Sequence, residues 1–367
     1  MNKRDVSADI IRIFAFFLVV SMHFLGNIRF YDEIILGGED VCNAANESHI
    51  YDMCATLFML SGYLMSKIKL DNNYYVKRIR VIIIYVLASI VCEIFRIVFL
   101  QEEKNIIDIV MEIISFNVGN YSWYIELYLG LILIIPFLNV MWNTISDKQG
   151  KKILIVSLIF ISSLPSVINV YNFKMSGWWS SPIISTEYQK IIPDSWSALY
   201  PITYYMIGCY LKDFRLSIKK SINFILIVLT ICAYGTYMYW RNKGSVFVNG
   251  AWCQWYSFFV VILTTLVFNF IIGMDFSKTP NKIRAIAKFI SDLTLGAYLV
   301  SVIFDIAFYD VLRAKIEIMP QRLNYYIVMV PAVFLCSLIL SFIIECVYRL
   351  IHLIFQKLAY QSLGRMI

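Results

Sequence analysis

Apolar runs of about twenty residues recur ten times along this chain, separated by charged connections. A run of that length matches the roughly 30 Å of hydrocarbon in a bilayer, where every backbone group must find its partner inside the segment. The pattern therefore restricts the chain to a bundle of membrane helices. The candidate spans are 9–28, 50–66, 79–100, 122–143, 152–170, 195–212, 221–240, 251–273, 287–309 and 323–350. Only 16% of the 367 residues are charged, against about 25% in soluble chains. The expected fold is an all-α polytopic membrane protein of about ten transmembrane helices, one domain over 1–367 with a basic amphipathic tail at about 350–367. Segment 105–118 is too short and too acidic to span, and reads as an amphipathic surface helix. The eight cysteines lie mostly in apolar runs, and their spacing implies neither a disulfide framework nor a metal site.

Charge sets the orientation. With the N-terminus inside, the inner connections hold 21 of the 32 Lys and Arg residues and the outer ones hold 9. The positive-inside rule then places both termini of a multi-pass membrane protein in the cytoplasm. This distribution accounts for the net charge of +7 without a nucleic-acid partner. Lys3 and Arg4 precede the first apolar run as in a signal peptide, but Arg12 inside it and the lack of a small-x-small site favour an uncleaved span.

That first span, DIIRIFAFFLVVSMH over 9–23, carries three ionisable groups. Eleven residues separate Arg12 from His23, which puts them within about 20° of one face and roughly 16 Å apart along the axis. Ionisable residues within a span are costly and mark functional sites by default. Arg12 either pairs with Asp9 three residues earlier or binds an anion. Lys77, Arg78 and Arg80 open the third span, where they either snorkel to lipid headgroups or join Arg12 in a phosphate-binding funnel. His23 is either a buried hydrogen-bonding residue or a general base. A thioester carrier with its phosphates at Arg12 has an arm of about the right length to present its acyl carbon near His23. Glu93 and Arg96 read as an internally neutralised pair, and Asp292 and Asp305, both within the span 287–309, would suit a polar acceptor route.

The spacing Asp9–Arg12–His23 resembles the start of the membrane acyltransferase-3 family. FMLSGYL at 58–64, YYVKRIR at 74–80, SWYIELYLGLILIIPFL at 122–138, YYMIGCYL at 204–211 and SDLTLGAYLVS at 291–301 are similar to further signatures of that family, in order. Ser301 stands where the family often has a second histidine. The resemblance implies transfer of an acyl group, usually acetyl, from cytoplasmic acyl-CoA to a hydroxyl of an extracytoplasmic polysaccharide, peptidoglycan or lipid-linked sugar. Acyl-CoA is then a donor substrate, with no tightly bound cofactor and no metal. It implies His23 as catalytic base, Arg12 holding the donor, and Arg78 and Arg80, beside Lys77, holding its phosphates. Ser61 and Gly62 would allow close helix approach beside the site, and Asp9 would support Arg12. Trp123 either walls an acyl channel or packs as an ordinary interfacial tryptophan. Asp52, at the outer end of the second span, is a candidate to orient His23 or the acceptor.

Intramembrane charge and ten spans also suit a transporter. Similar modules form the membrane half of membrane-bound serine racemases of vancomycin resistance, so uptake of a small polar solute such as L-serine is the alternative. A fused or associated catalytic domain after residue 367 would accompany that reading.

Overall fold

The computed structural model describes residues 4–34, 53–71, 73–119, 121–174, 176, 190–248 and 250–363. Among them the chain forms α1 (Val6–Asn27), α2 (Met53–Met65), α3 (Ile79–Phe99), α4 (Ile106–Ile114), α5 (Trp123–Thr144), α6 (Lys148–Ile168), α7 (Tyr200–Asp213), α8 (Lys220–Asn242), α9 (Phe258–Ile272), α10 (Asn281–Lys315), α11 (Met319–Leu323) and α12 (Tyr326–Leu363). Short polar side chains start several of them. Asp5 accepts from Ser7 N at the head of α1, Asp147 caps α6, and Asn105 with Asp108 forms a capping box on α4.

Contacts at the helix ends sort the bundle into two poles. At one pole Arg4 meets Asp292 at 2.7 Å, Arg80 meets Glu345 at 2.9 Å, and Asp213 meets both Lys67 at 3.2 Å and Lys151 at 2.8 Å. At the other, Arg313 donates to Asn27 O at 2.5 Å, Arg322 to Ile28 O at 2.9 Å, and Ser21 bonds Tyr326 at 2.8 Å. Following the chain between these contacts, α1, α2, α3, α5, α6, α7, α8, α9, α10 and α12 alternate in direction. The beginning of α1 and the far end of α12 therefore share the Arg4 pole.

Eight helices among the described residues are long and apolar enough to cross a membrane. The expected spans 50–66 and 195–212 are not among these eight: α2 is described from Met53 to Met65, with 50–52 outside the described residues, and α7 has 14 residues, with Asp194–Leu199 forming a 3₁₀ turn ahead of it. α2 and α7 pack against each other inside the bundle. Residues 251–257 are likewise outside regular α-helix, with a single 3₁₀ turn at Ala251–Cys253. The stretch read as a basic amphipathic tail is helical as far as Leu363, in one helix with the last span.

Two glycines set the spacing of the short pair. A Cβ on Gly62 would fall 1.8 Å from Tyr205 O, and one on Gly208 would fall 1.9 Å from Met59 O. The helices thus touch backbone to backbone, as small residues permit at membrane helix interfaces.

At the Asn27 pole, the predicted Glu93–Arg96 pair is part of a larger network. Arg96 contacts Glu93, Glu102 and Glu112 at 3.2, 2.9 and 2.7 Å, and Lys104 contacts the same three at 3.0, 3.4 and 2.7 Å. It ties the surface helix α4 to α3. The Arg96 hydrogen bond holds Glu102 below its usual value. For Glu112 burial opposes the same shift, but the Lys104 hydrogen bond and the Arg96 charge outweigh it. Carboxyls lowered on folding contribute stability that is fully present above about pH 4.5 and lost as pH falls through the folded value. We expect the protection of α4 amides, measured against the intrinsic exchange rate at each pH, to fall when the protein is taken from about pH 7 to about pH 3.5, before that of α10 amides. Unchanged protection of α4 across that range would contradict the network's role.

Candidate active site

α1 and α10 run side by side in the same direction, and their polar residues meet at two levels. At the lower level Arg12 Nη1 lies 3.3 Å from Ser291 Oγ; eleven residues on, His23 faces Asp305. Arg12 and His23 are eleven residues apart on α1, and their partners Ser291 and Asp305 are fourteen apart on α10, close to three and four whole turns, so each pair lies near one face of its helix.

The lower level opens into a cavity of about 540 Å³ among α1, α2, α3, α5, α10 and α12. Arg4, Arg12 and Arg80 line it together with Ser61, Asp292 and Glu345. Arg4 is bound to Asp9 at 2.6 Å and to Asp292 at 2.7 Å, and Arg80 to Glu345 at 2.9 Å. The polar contacts of Arg12 are longer, 3.3 Å to Ser291 and 3.5 Å to Asp9. Asp9 thus serves mainly Arg4, a residue the sequence did not single out, and Arg12 is the most loosely held of the three.

The upper level is closed. His23 is 6% exposed and Asp305 1%. His23 Nδ1 stands 3.1 Å from Asp305 Oδ2 but off the line of a hydrogen bond, and Asp305 Oδ1 has no hydrogen-bond partner among the described residues. Tyr121 completes the group. Its ring stacks on the imidazole at 3.6 Å and 12°, while its hydroxyl donates to Asp305 Oδ2 at 2.7 Å. Tyr298 in turn donates to Tyr121 O at 2.5 Å. A buried imidazole paired with a carboxylate is the arrangement that lets a side chain accept a proton from a hydroxyl and hold the resulting charge.

The other predicted residues fall as follows. Ser61 is on the cavity wall, its Oγ donating to Leu57 O at 2.9 Å, and Gly62 makes the contact with α7 described above. Arg78 turns away from the cavity: its guanidinium lies 4.0 Å over the Tyr74 ring and donates to Tyr74 O at 2.9 Å. Lys77 and Trp123 are not among the lining residues, and Trp123 stacks on Trp255 at 4.1 Å. Asp52 lies outside the described residues, as does most of the 171–194 loop with Gly177, Trp178 and Trp179. Asp305, which the sequence offered for a polar acceptor route, stands beside His23 instead. The signal for it was an acid inside an apolar span; Tyr121 carried none, because it precedes its helix and owes its place to tertiary packing.

The bundle, its arginine-lined cavity and its buried His–Asp–Tyr group define a polytopic membrane protein of the kind that works on a polar group within the membrane. Residues 5–346 match the acyltransferase-3 family model, described as an acyltransferase domain, and the chain belongs to that family. It is a multi-pass membrane acyltransferase. Comparison with curated proteins and with solved structures finds no match.

Proposed function

We propose that the protein transfers an acyl group, most simply acetyl, from cytoplasmic acyl-CoA to a hydroxyl of a cell-envelope glycan or its lipid-linked precursor on the outer side of a bacterial plasma membrane. The supporting observation is that one face of α1 runs from Arg4 through Ala8, Arg12, Phe16 and Val19 along the cavity and reaches His23 one turn later. In this reading the Arg4 pole, with both helix termini, is cytoplasmic. Arg12 holds the donor's phosphates, since a loosely paired guanidinium gives up little when an anion replaces its partners. Arg80 and Arg4 add to the field once the anion draws them from their carboxylates.

The transfer then uses the upper level. His23 takes the proton of the acceptor hydroxyl, and the oxygen attacks the thioester carbon. The C–O bond forms, the C–S bond breaks, and the imidazolium returns its proton to the departing thiolate. Asp305 stabilises the imidazolium, and Tyr121 fixes both groups. The test is release of CoA from acetyl-CoA by the purified protein in lipid vesicles carrying a polyhydroxyl acceptor. Serine uptake by the same vesicles, with no CoA binding or release, would overturn the reading in favour of transport.

Arg12→Ala is expected to weaken donor binding by about 10- to 100-fold, the value of one charge-assisted contact, and to leave acceptor KM unchanged. Titration of CoA against wild type and variant measures this. Equal loss for both substrates would make Arg12 a structural residue.

A further inference from the structure

The cavity does not reach His23. Its last residues toward the imidazole are Val19 on α1, Tyr124 on α5 and Tyr298 on α10. His23 lies one turn beyond Val19, roughly 6 Å along the axis. The intervening space is occupied by tyrosines: Tyr298 packs edge-on to Tyr124 at 5.8 Å, sits 6.4 Å from the Tyr121 ring, and ties its hydroxyl to Tyr121 O. Tyr121 is itself pinned between His23 and Asp305. Tyr298 is therefore the wall residue that stands between the donor cavity and the catalytic group.

We propose that Tyr298 selects the donor by acyl size. The inference rests on the acyl-transfer reading above and assigns the specificity determinant of that site. A thioester carbon reaching the imidazole must lodge its acyl chain in the turn between Val19 and His23, against the Tyr298 ring. Each further methylene meets that ring, and the ring has no free retreat because Tyr124 backs it and Tyr121 holds its hydroxyl. One methylene against a fitted wall is worth about 10–200-fold in discrimination. Binding of the CoA portion, at the arginine level, is indifferent to chain length.

The experiment compares acetyl-CoA with hexanoyl-CoA on the full chain in lipid vesicles, reading CoA release. Wild type should use hexanoyl-CoA at least 100-fold less well in kcat/KM, while hexanoyl-CoA inhibits acetyl transfer at concentrations near the acetyl-CoA KM. Tyr298→Ala and Tyr298→Val should bring the two donors within tenfold, and Tyr298→Phe, which keeps the ring, should retain the preference. Two outcomes overturn the proposal: wild type using both donors equally, or a folded Ala or Val variant with the wild-type ratio. Should neither small variant fold, the wild-type ratio alone decides. If wild type turns over no acyl-CoA at all, it is the acyl-transfer reading that fails.

Discussion

A His23→Gln protein is expected to fold and bind CoA as wild type does, and to lose about 10²- to 10⁴-fold in acyl transfer. That is the usual contribution of a positioned general base. Glutamine keeps most of the volume under Tyr121, so the stack that closes the upper level survives, while the capacity to take a proton is removed. In the proposed reading the donor's phosphates rest about three turns below, at Arg12, and are untouched. Asp305→Asn should cost nearly as much, because the imidazolium then forms without a neighbouring charge. Since the two act as one unit, the double variant should be little worse than His23→Gln alone. CoA release and calorimetric CoA binding, measured on the same preparations, separate the two functions. Transfer within threefold of wild type in His23→Gln would remove the imidazole from the mechanism.

Much of this site was legible because helical periodicity is local. The eleven residues from Arg12 to His23 fix one face of a single helix regardless of its neighbours. Which faces meet is a nonlocal fact. The pairing of α1 with α10 rests on packing, so Asp305 was visible as a polar residue on a face but not as the partner of His23. The basic cluster shows the same limit. Arg78 and Arg80 are two residues apart, which on a helix end turns them to different sides, and only Arg80 lines the cavity. The expected spans were placed by hydropathy, and hydropathy does not distinguish regular α-helix from a 3₁₀ turn that leads into it; hence 195–212 was drawn as one span although its α-helix begins at Tyr200.

The crossing of those two short helices carries the second large effect. Gly208→Ala is expected to cost roughly 3 kcal/mol or more, at or beyond the upper end of ordinary overpacking. Its new Cβ would lie 1.9 Å from Met59 O and 2.9 Å from Tyr63 N, and Gly62→Ala meets Tyr205 O in the same way. These obstacles are backbone atoms, which no rotamer change can move, so the helices must separate. Separation would strain Tyr205, whose hydroxyl donates to Asn139 Oδ1 at 2.6 Å, and Asn139, whose amide donates to Met65 O and Ile68 O at 2.8 Å each. Gly130→Ala is the control: a Cβ there meets nothing within 4 Å, and alanine's higher helix propensity should leave the protein as stable as wild type or slightly more so. Thermal unfolding of the detergent-purified variants compares them, and equal stability of the Gly208 and Gly130 variants would show that the crossing tolerates a methyl group. Leu60 and Ser61, next to Gly62, line the cavity. A displaced α2 therefore widens the donor site, and whatever Gly62→Ala protein survives should bind CoA more weakly. That would link the close crossing to function through the same wall that Arg12 shares.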